Sequence, residues 1–518
     1  MHWKNNMLKP FNIKNEITIL LLAGLLFLFM TETNAQLESS KWVFGYGVGI
    51  DFTSGQPIAF SGSKIRTSEG CSTVSNNKGE LLFYTDGISV WNKRNDLMPN
   101  GKNLNGHLSS TQSAIIVPLP GSNSIQYIFT MDSEANKGGF CFSIVDLSKE
   151  HGLGNVTLKN QPIKAHCTEK LVAVRHENDK DIWIVIHEYG SDAFMAYLLT
   201  KDGLNLSPVV SNIGLKYDKS VFNTIGYVKV STNNKKIAVA INGDKTVQLF
   251  DFDRKSGILS NQTTLRFSSD SSPYGIEFSP SSALLYIGIV TKGLVYQANL
   301  FAGNEQAIQK SLCIVGQNKI KNNLGALQLG VDGKIYIAEY QSKYLSAIDK
   351  PNTVGPECHF RVNAVFLNDN ICMFGLPTFF QDYVKQGNFD EKTQVFNKNT
   401  SIEINKKYIL NSIYFDFNKA LLRDSSIIEL QKLIDVLAKD PNLDIVITGH
   451  TDSIGSLRYN KELSLVRARK IGSYIAGKGI KKSRIKLSGK SSTEPIAPNT
   501  DEAGRQKNRR VEFILKKI

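Results

Sequence analysis

A chain of 518 residues, 41% apolar and 21% charged, is too long for one small domain and has the composition of a globular protein with a sizeable core. Its formal charge of +14 is uneven: residues 401–518 carry 23 Lys and Arg against 13 Asp and Glu. A basic C-terminal part favours a polyanionic or carboxylate-rich partner, and charge alone does not separate nucleic acid from the rest.

The first residues choose the compartment. Lys4, Lys9 and Lys14 precede an apolar run over residues 17–30, and Thr33, Asn34 and Ala35 stand before Gln36. That is the form of a signal peptide over residues 1–35: a basic stretch, an apolar stretch and small residues at the cut. The run is shorter than the roughly 20 residues a spanning helix needs, although retention as an inner-membrane, stator-like anchor is the alternative. No Cys stands at the cut to take a lipid. Export to the periplasm excludes nucleic acid as the partner.

Residues 36–383 show strands and turns with little helical periodicity. Six short apolar runs align on Phe83, Tyr127, Trp183, Val239, Tyr286 and Tyr336, at intervals of 44, 56, 56, 47 and 50 residues. Most are preceded by another short run (SAIIVPL, EKLVAV, GYVKVS, YGIEFS, GALQLG), and each is followed by a third. Three to four strands at a period near 50 is the signature of propeller blades. Six such units, with a seventh split between residues 42–52 and 374–381, predict a seven-bladed all-β propeller whose closing blade joins the two chain ends and removes free edges.

All six cysteines, Cys71, Cys141, Cys167, Cys313, Cys358 and Cys372, lie in this region, at spacings that match no zinc pattern. Export permits disulfides, and Cys358 with Cys372 is the expected pair because the two can flank one hairpin; buried free thiols are the other reading. No catalytic constellation stands out. His166, His187 and Glu169 fall within one unit, as core or loop residues commonly do. The GYGVG run at residues 45–49 leads into a strand and lacks a following Lys, and Asp251 and Asp253 fit a hairpin turn closed by Gly257. Neither a metal nor a cofactor is expected.

Residues 384–407 are polar and read as a linker. From residue 408 the periodicity changes. A strand over residues 411–417 is followed by a helix opened by Asp424, with Ile427, Leu430, Ile434 and Leu437 on one face. A strand over 443–448, a polar loop, a helix over about 460–476 with Leu463, Val466, Ile471, Tyr474 and Ile475 inward, and two more strands complete an α+β domain, βαβαββ. The loop carries one acid, Asp452, and the helix after it one cation, Arg467. An acid and a planar guanidinium held near one another suit a zwitterion.

The run GHTDSIGS, followed by YN, LS and RAR and closed by GRQKNRRVEF, closely resembles the OmpA-like peptidoglycan-binding domain, over residues 408–518. The SEGC and LLFYTDG…VWN stretches resemble propeller regions of secreted or surface proteins from the Bacteroidetes. The first resemblance implies a non-catalytic anchor that grips the diaminopimelate of peptidoglycan stem peptides. Asp452 would take the ammonium and Arg467 the carboxylate, with Thr451, Asn418, Asn460 and Arg509 as further wall-binding residues. Asn418 reads equally as a turn residue, Asn460 as a helix cap, and the Arg509–Arg510 pair as structural, against Asp416 or Glu512. The family's Glu before Gly-Arg is Ala503 here, with Glu502 one residue earlier. By analogy the propeller would offer a surface to periplasmic or outer-membrane proteins, as in a secretion or gliding apparatus. The alternative is a propeller enzyme acting on a glycan or peptide and localised by the C-terminal domain.

Overall fold

The computed structural model describes residues 37–319, 323–384, 405, 407–409, 424–499, 505 and 508–517. The expected leader, the strand over 411–417 and the candidate ligand Asn418 lie outside the described residues. Among those residues, no helix is long and apolar enough to cross a membrane.

The N-terminal region is built from antiparallel sheets that follow one another along the chain, each made of consecutive strands. They occupy residues 41–60 and 72–92 with three strands each, 114–164 with four, 167–212 with five, and 228–266, 273–317 and 324–366 with four each. The aligned residues Phe83, Tyr127, Trp183, Val239, Tyr286 and Tyr336 each fall in the second strand of sheets two to seven. Burial falls across each sheet. The first strands are buried almost throughout, and Pro273–Phe278 and Leu324–Leu329 at every position. The last, such as Asn155–Lys164 and Phe360–Phe366, are largely exposed. A strand covered on both faces reads as continuous Val, Ile and Leu, whereas one at an edge keeps its polar residues. The arrangement is consistent with a propeller-like fold.

The first and last sheets meet. Trp42 and Phe52 pack on Tyr336, with ring centroids 5.7 and 5.3 Å apart, inside one apolar cluster that spans the first, second, fifth, sixth and seventh sheets. Beyond the last strand, Asn368 Nδ2 donates to the Ala59 carbonyl at 2.8 Å and Asn370 Nδ2 to Ser61 Oγ at 3.0 Å. The segment at residues 374–381 does not add to the first sheet the strand that the split closing blade required. Instead Phe374 N donates to Ser68 O, Ala326 N to Phe374 O, and Thr378 N to Cys71 O, so the segment crosses the starts of several inner strands. A Cβ at Gly325 would lie 2.1 Å from Phe374 O, which is why that crossing needs a glycine.

All six cysteines are free thiols. The expected Cys358–Cys372 pairing is not formed. Cys71, Cys358 and Cys372 all belong to one large apolar cluster, but Cys372 sits by Ser342 while Cys358 lies in a short turn, Pro356–Cys358, before the last strand of the seventh sheet.

The C-terminal domain runs β1 (Lys407–Ile409), α1 (Asp424–Lys439), β2 (Leu443–Gly449), α2 (Leu457–Gly477), β3 (Ile485–Gly489) and β4 (Val511–Lys517). The sheet order is β1-β4-β2-β3, with β2 and β3 parallel across the α2 crossover and β4 antiparallel to β1 and β2. Leu430, Leu433, Ile434 and Leu437 of α1 and Ala468, Ile471 and Ile475 of α2 join Ile445, Ile447, Val511, Phe513 and Leu515 in one core. The α2 helix begins earlier than its apolar pattern indicated, at Leu457. Its buried stripe also differs: Asn460, Ser464, Arg467, Ala468, Ile471, Gly472 and Ile475 face inward while Val466 is exposed.

Candidate functional site

The site forms where β2 ends and α2 begins. Gly449 closes β2 against the helix so tightly that a Cβ there would lie 2.0 Å from Ser464 O. Ser464 Oγ donates to Lys461 O at 2.9 Å and accepts from Ser491 N at 3.0 Å, while Thr451 N donates to Ser491 O at 3.0 Å. Loop, helix and the turn after β3 are thereby fixed to one another. Ser456 caps α2, its Oγ accepting from Tyr459 N at 3.2 Å.

Thr451, Asp452, Ile454, Gly455, Tyr459, Asn460, Leu463, Arg467 and Arg509 line one cavity of about 260 Å³. Of the six residues singled out in the sequence, the structure brings five to this cavity, and Asn418 lies outside the described residues. Asp452 is buried; its Oδ1 accepts from Ile454 N at 3.0 Å, and its Oδ2 takes Arg509 Nη1 at 2.6 Å. The direct partner of Asp452 is thus Arg509, and Arg467 stands on the same cavity. Arg467 is 1% exposed and donates from Nη1 to His450 O at 3.1 Å. Burial, and then the charge of Arg509, push its guanidinium down to about 10, against the pull of Asp452. Thr451 Oγ1 is buried without a hydrogen-bond partner among the described residues.

Asn460 is not the helix cap, since Ser456 holds that position. Its Nδ2 donates to Asp452 O at 3.3 Å and Ile454 O at 3.0 Å, which folds the acid-bearing loop back onto the helix. The Asn-Arg-Arg run just before β4 divides its work. Asn508, which the sequence reading passed over, is fully buried; its amide donates to Ala497 O at 2.8 Å and Asn499 Oδ1 at 3.0 Å and accepts from Ile496 N at 2.8 Å. Asn499 in turn accepts from Ser453 N at 3.1 Å, so Asn508 braces the loop. Arg509 turns to Asp452. Arg510 pairs with Glu512 Oε1 at 2.6 Å, as one of the structural readings had it.

Glu512 anchors a second layer. Lys407 Nζ lies 3.1 Å and His450 Nε2 3.3 Å from its Oε2, the latter an ion-pair distance more than a well-aligned hydrogen bond. Burial acts to raise the Glu512 carboxyl, yet His450 and Arg510 hold it down to about 2. The cavity itself presents two guanidiniums and one carboxylate, a net positive charge that favours an anion while leaving an acid for a cation. Among the described residues, no group of three His, Cys, Asp or Glu side chains is placed to hold a metal.

The OmpA family matches residues 414–509. Outer membrane porin F of Pseudomonas fluorescens is 39% identical over 100 residues, covering 19% of this chain and 31% of that protein. Outer membrane protein A of Bordetella avium is 39% identical over 114 residues, covering 21% and 57%. The peptidoglycan-associated lipoprotein of Buchnera aphidicola subsp. Baizongia pistaciae is 32% identical over 129 residues, covering 25% of this chain and 68% of that protein. The chain therefore spans less than two thirds of the first two of these relatives.

Proposed function

The chain belongs to the OmpA family through its C-terminal domain, and on that premise we propose that it is a non-catalytic anchor that grips peptidoglycan. The observation that carries this reading is the shared cavity of Asp452, Arg467 and Arg509. Two guanidiniums facing one buried space repel, and an incoming carboxylate relieves that repulsion. The free end of a diaminopimelate side chain offers a carboxylate and an ammonium on one carbon. Its carboxylate would lie between Arg467 and Arg509, and its ammonium would use the lone pairs that Asp452 has left. Thr451 would hydrogen-bond the ligand, and Asn460 would hold the loop in place.

The rest of the reading follows from the chain order. Residues 1–35 are a signal peptide that sends the protein to the periplasm, 384–407 a tether, and 408–518 the wall-binding domain. Residues 36–383 are a seven-bladed propeller. That count is supported by the succession of sheets and by the packing of Trp42 and Phe52 on Tyr336 between first and last. The propeller presents a surface to proteins of the periplasm or outer membrane, as part of a secretion or gliding apparatus. Purified sacculi test the central claim. The full chain co-sediments with them and the Asp452→Ala variant does not. Sacculi with amidated diaminopimelate bind more weakly, because Arg467 loses its anion; equal binding on both would overturn the pairing.

One observation favours the second reading, an enzyme acting on a glycan or peptide and localised by the same domain. Glu69 and Glu169 stand close to one another near the starts of inner strands, and burial together with the charge of Glu169 pushes the Glu69 carboxyl up to about 9. A neutral carboxylic acid beside a carboxylate is the pairing used in glycoside hydrolysis. Against it, Glu169 is already engaged by the protein, accepting from Thr111 N at 2.8 Å, Thr111 Oγ1 at 2.6 Å and Glu134 N at 3.0 Å. Glu69→Gln separates the two. A structural acid with a raised value stabilises the fold below the ordinary carboxylate range and ceases to as pH climbs toward 9, so the amide raises Tm at pH 8. An acid catalyst would instead show as lost hydrolysis of wall fragments.

A further inference from the structure

We propose that Cys313 and Cys358 form a disulfide that staples the sixth sheet to the seventh. The two residues are 45 positions apart, yet several independent contacts bring them to one place. Cys313 opens the outermost strand of the sixth sheet, Cys313–Gln317, and faces Gln297 on the neighbouring strand. Gln297 also holds the loop that leads to Cys358: its Nε2 donates to Thr353 O at 2.8 Å, and its Oε1 accepts from Gly355 N at 2.8 Å. Tyr286 seals the same spot, accepting from Gln297 Nε2 at 2.7 Å and donating to Pro351 O at 3.0 Å. Three residues past Cys313, a Cβ on Gly316 would lie 2.2 Å from the ring of Phe360, two residues past Cys358. The strand that opens at Cys313 therefore packs against the segment around Cys358, through the Gln297 side chain before the thiol and the Phe360 ring after it.

The other four cysteines lack this setting. Cys71 and Cys372 are both fully enclosed and out of reach of an oxidant. Cys141 donates to Gly138 O at 3.3 Å and accepts from Asn105 Nδ2 at 3.6 Å, while Cys167 is buried in a separate apolar cluster beside Phe140. Cys141 and Cys167 lie near one another, but Cys167 is closed in, its Sγ donating to Lys164 O at 3.6 Å and Ala165 O at 3.8 Å.

Accessibility sets the order of events. Cys358 is buried and Cys313 is partly open. Burial, with the neighbouring Cys313 adding to it, pushes the Cys358 thiol up to about 11. Burial raises the Cys313 thiol as well, but Cys313 is the one an oxidant can reach, so its thiolate attacks a sulfur of an oxidant of the disulfide class, such as glutathione disulfide. One oxidant thiol leaves, and a mixed disulfide remains on Cys313. The Cys358 sulfur, giving up its proton, then displaces the second oxidant thiol. Two protein thiols become one S–S bond, and two electrons and two protons pass to the oxidant, which ends as two thiols. The staple closes a loop across adjacent sheets at their exposed edge, where the fold has the least burial to hold it.

The experiment needs only the purified full chain. It is reduced, freed of reductant and incubated with glutathione disulfide at pH 8.5; residual thiols are then alkylated and the unreduced digest is read by mass spectrometry. The expected product is a peptide pair joined through Cys313 and Cys358, absent from Cys313→Ser and Cys358→Ser chains that keep the wild-type circular dichroism. The oxidised protein also melts higher than the reduced one, and Cys313→Ser removes that difference. Alkylation of both residues after oxidation would overturn the proposal, as would glutathione retained on Cys313 alone or a Cys358–Cys372 peptide. Sacculus binding is not read in this assay, so its outcome is independent of the wall-anchor reading.

Discussion

Lys229 in the N-terminal sheets and Arg467 in the C-terminal domain are both cations sealed inside the fold, and their surroundings complete them in opposite ways. Lys229 Nζ reaches Glu277 Oε2 at 2.9 Å and Gln328 Oε1, two side chains on neighbouring inner strands, and Glu277 also accepts from Leu329 N at 3.1 Å. Lys170 is treated likewise, donating to the carbonyls of Asn223, Thr224 and Ile225. Those charges are closed by protein and tie one sheet to the next. Arg467, by contrast, lines a cavity with a second cation and an acid. Burial alone does not mark a binding site; buried charge facing space that protein does not fill does. The sharpest break of the comparison is Lys229→Met. It leaves Glu277 as an uncompensated buried carboxylate, at a cost of about 3–5 kcal/mol, read as a drop in Tm. Sacculus binding per folded molecule stays unchanged; a loss of binding would mean the two regions act as one.

The mirror experiment removes charge from the cavity. Arg467→Ala and Asp452→Ala each take one partner from a desolvated charged contact, worth about 2–4 kcal/mol, or roughly 30-fold to 1,000-fold in wall affinity. The melting transition of the N-terminal sheets holds. A smaller effect follows from Glu512. Its folded value, about 2, lies below the ordinary carboxylate range, so its contribution is present above that range and is lost as pH falls toward 2. The C-terminal domain therefore loosens progressively below about pH 5. Glu512→Gln lowers stability at pH 7 and flattens that acid limb, followed by circular dichroism; an unchanged limb would show that other carboxylates set it.

The sequence was most informative where one residue type has one physical meaning. The second strand of sheets two to seven was legible because a core strand is a run of Val, Ile, Leu and aromatics. The fourth strands were not: Asn155–Lys164 reads NVTLKNQPIK, an edge whose polar residues face solvent and carry no alternation. The inner-strand crossing by residues 374–381 was hidden as well, since it depends on glycines far away in sequence. At the site, Asp452 and Arg467 stood out by charge and motif. Arg509 as the direct partner of Asp452 did not, because the two are 57 residues apart and meet only through β4 lying beside β2. The α2 register misled for a related reason: near the cavity the inward stripe is Asn460, Ser464 and Arg467, which an apolar-periodicity reading assigns to solvent.

Ser456 offers the finest test of the same contrast, because it touches the site through backbone alone. As the cap of α2 it satisfies Tyr459 N, and the turn it fixes carries Ile454 and Gly455 along the cavity wall. Ser456→Ala removes one capping bond, costing about 1 kcal/mol of C-terminal stability. Gly455, with φ near 100°, still makes the turn. Wall affinity should then fall by less than about tenfold, since no charged contact is removed. Ser456→Asp restores the cap with a carboxylate at the helix N-terminus, and stability with it, yet adds a negative charge near Arg467 and Arg509 that competes with the incoming carboxylate. Affinity that recovers fully in the Asp variant would assign the loss to the cap. Affinity that drops further would place the anion subsite at this end of α2, beside the two guanidiniums.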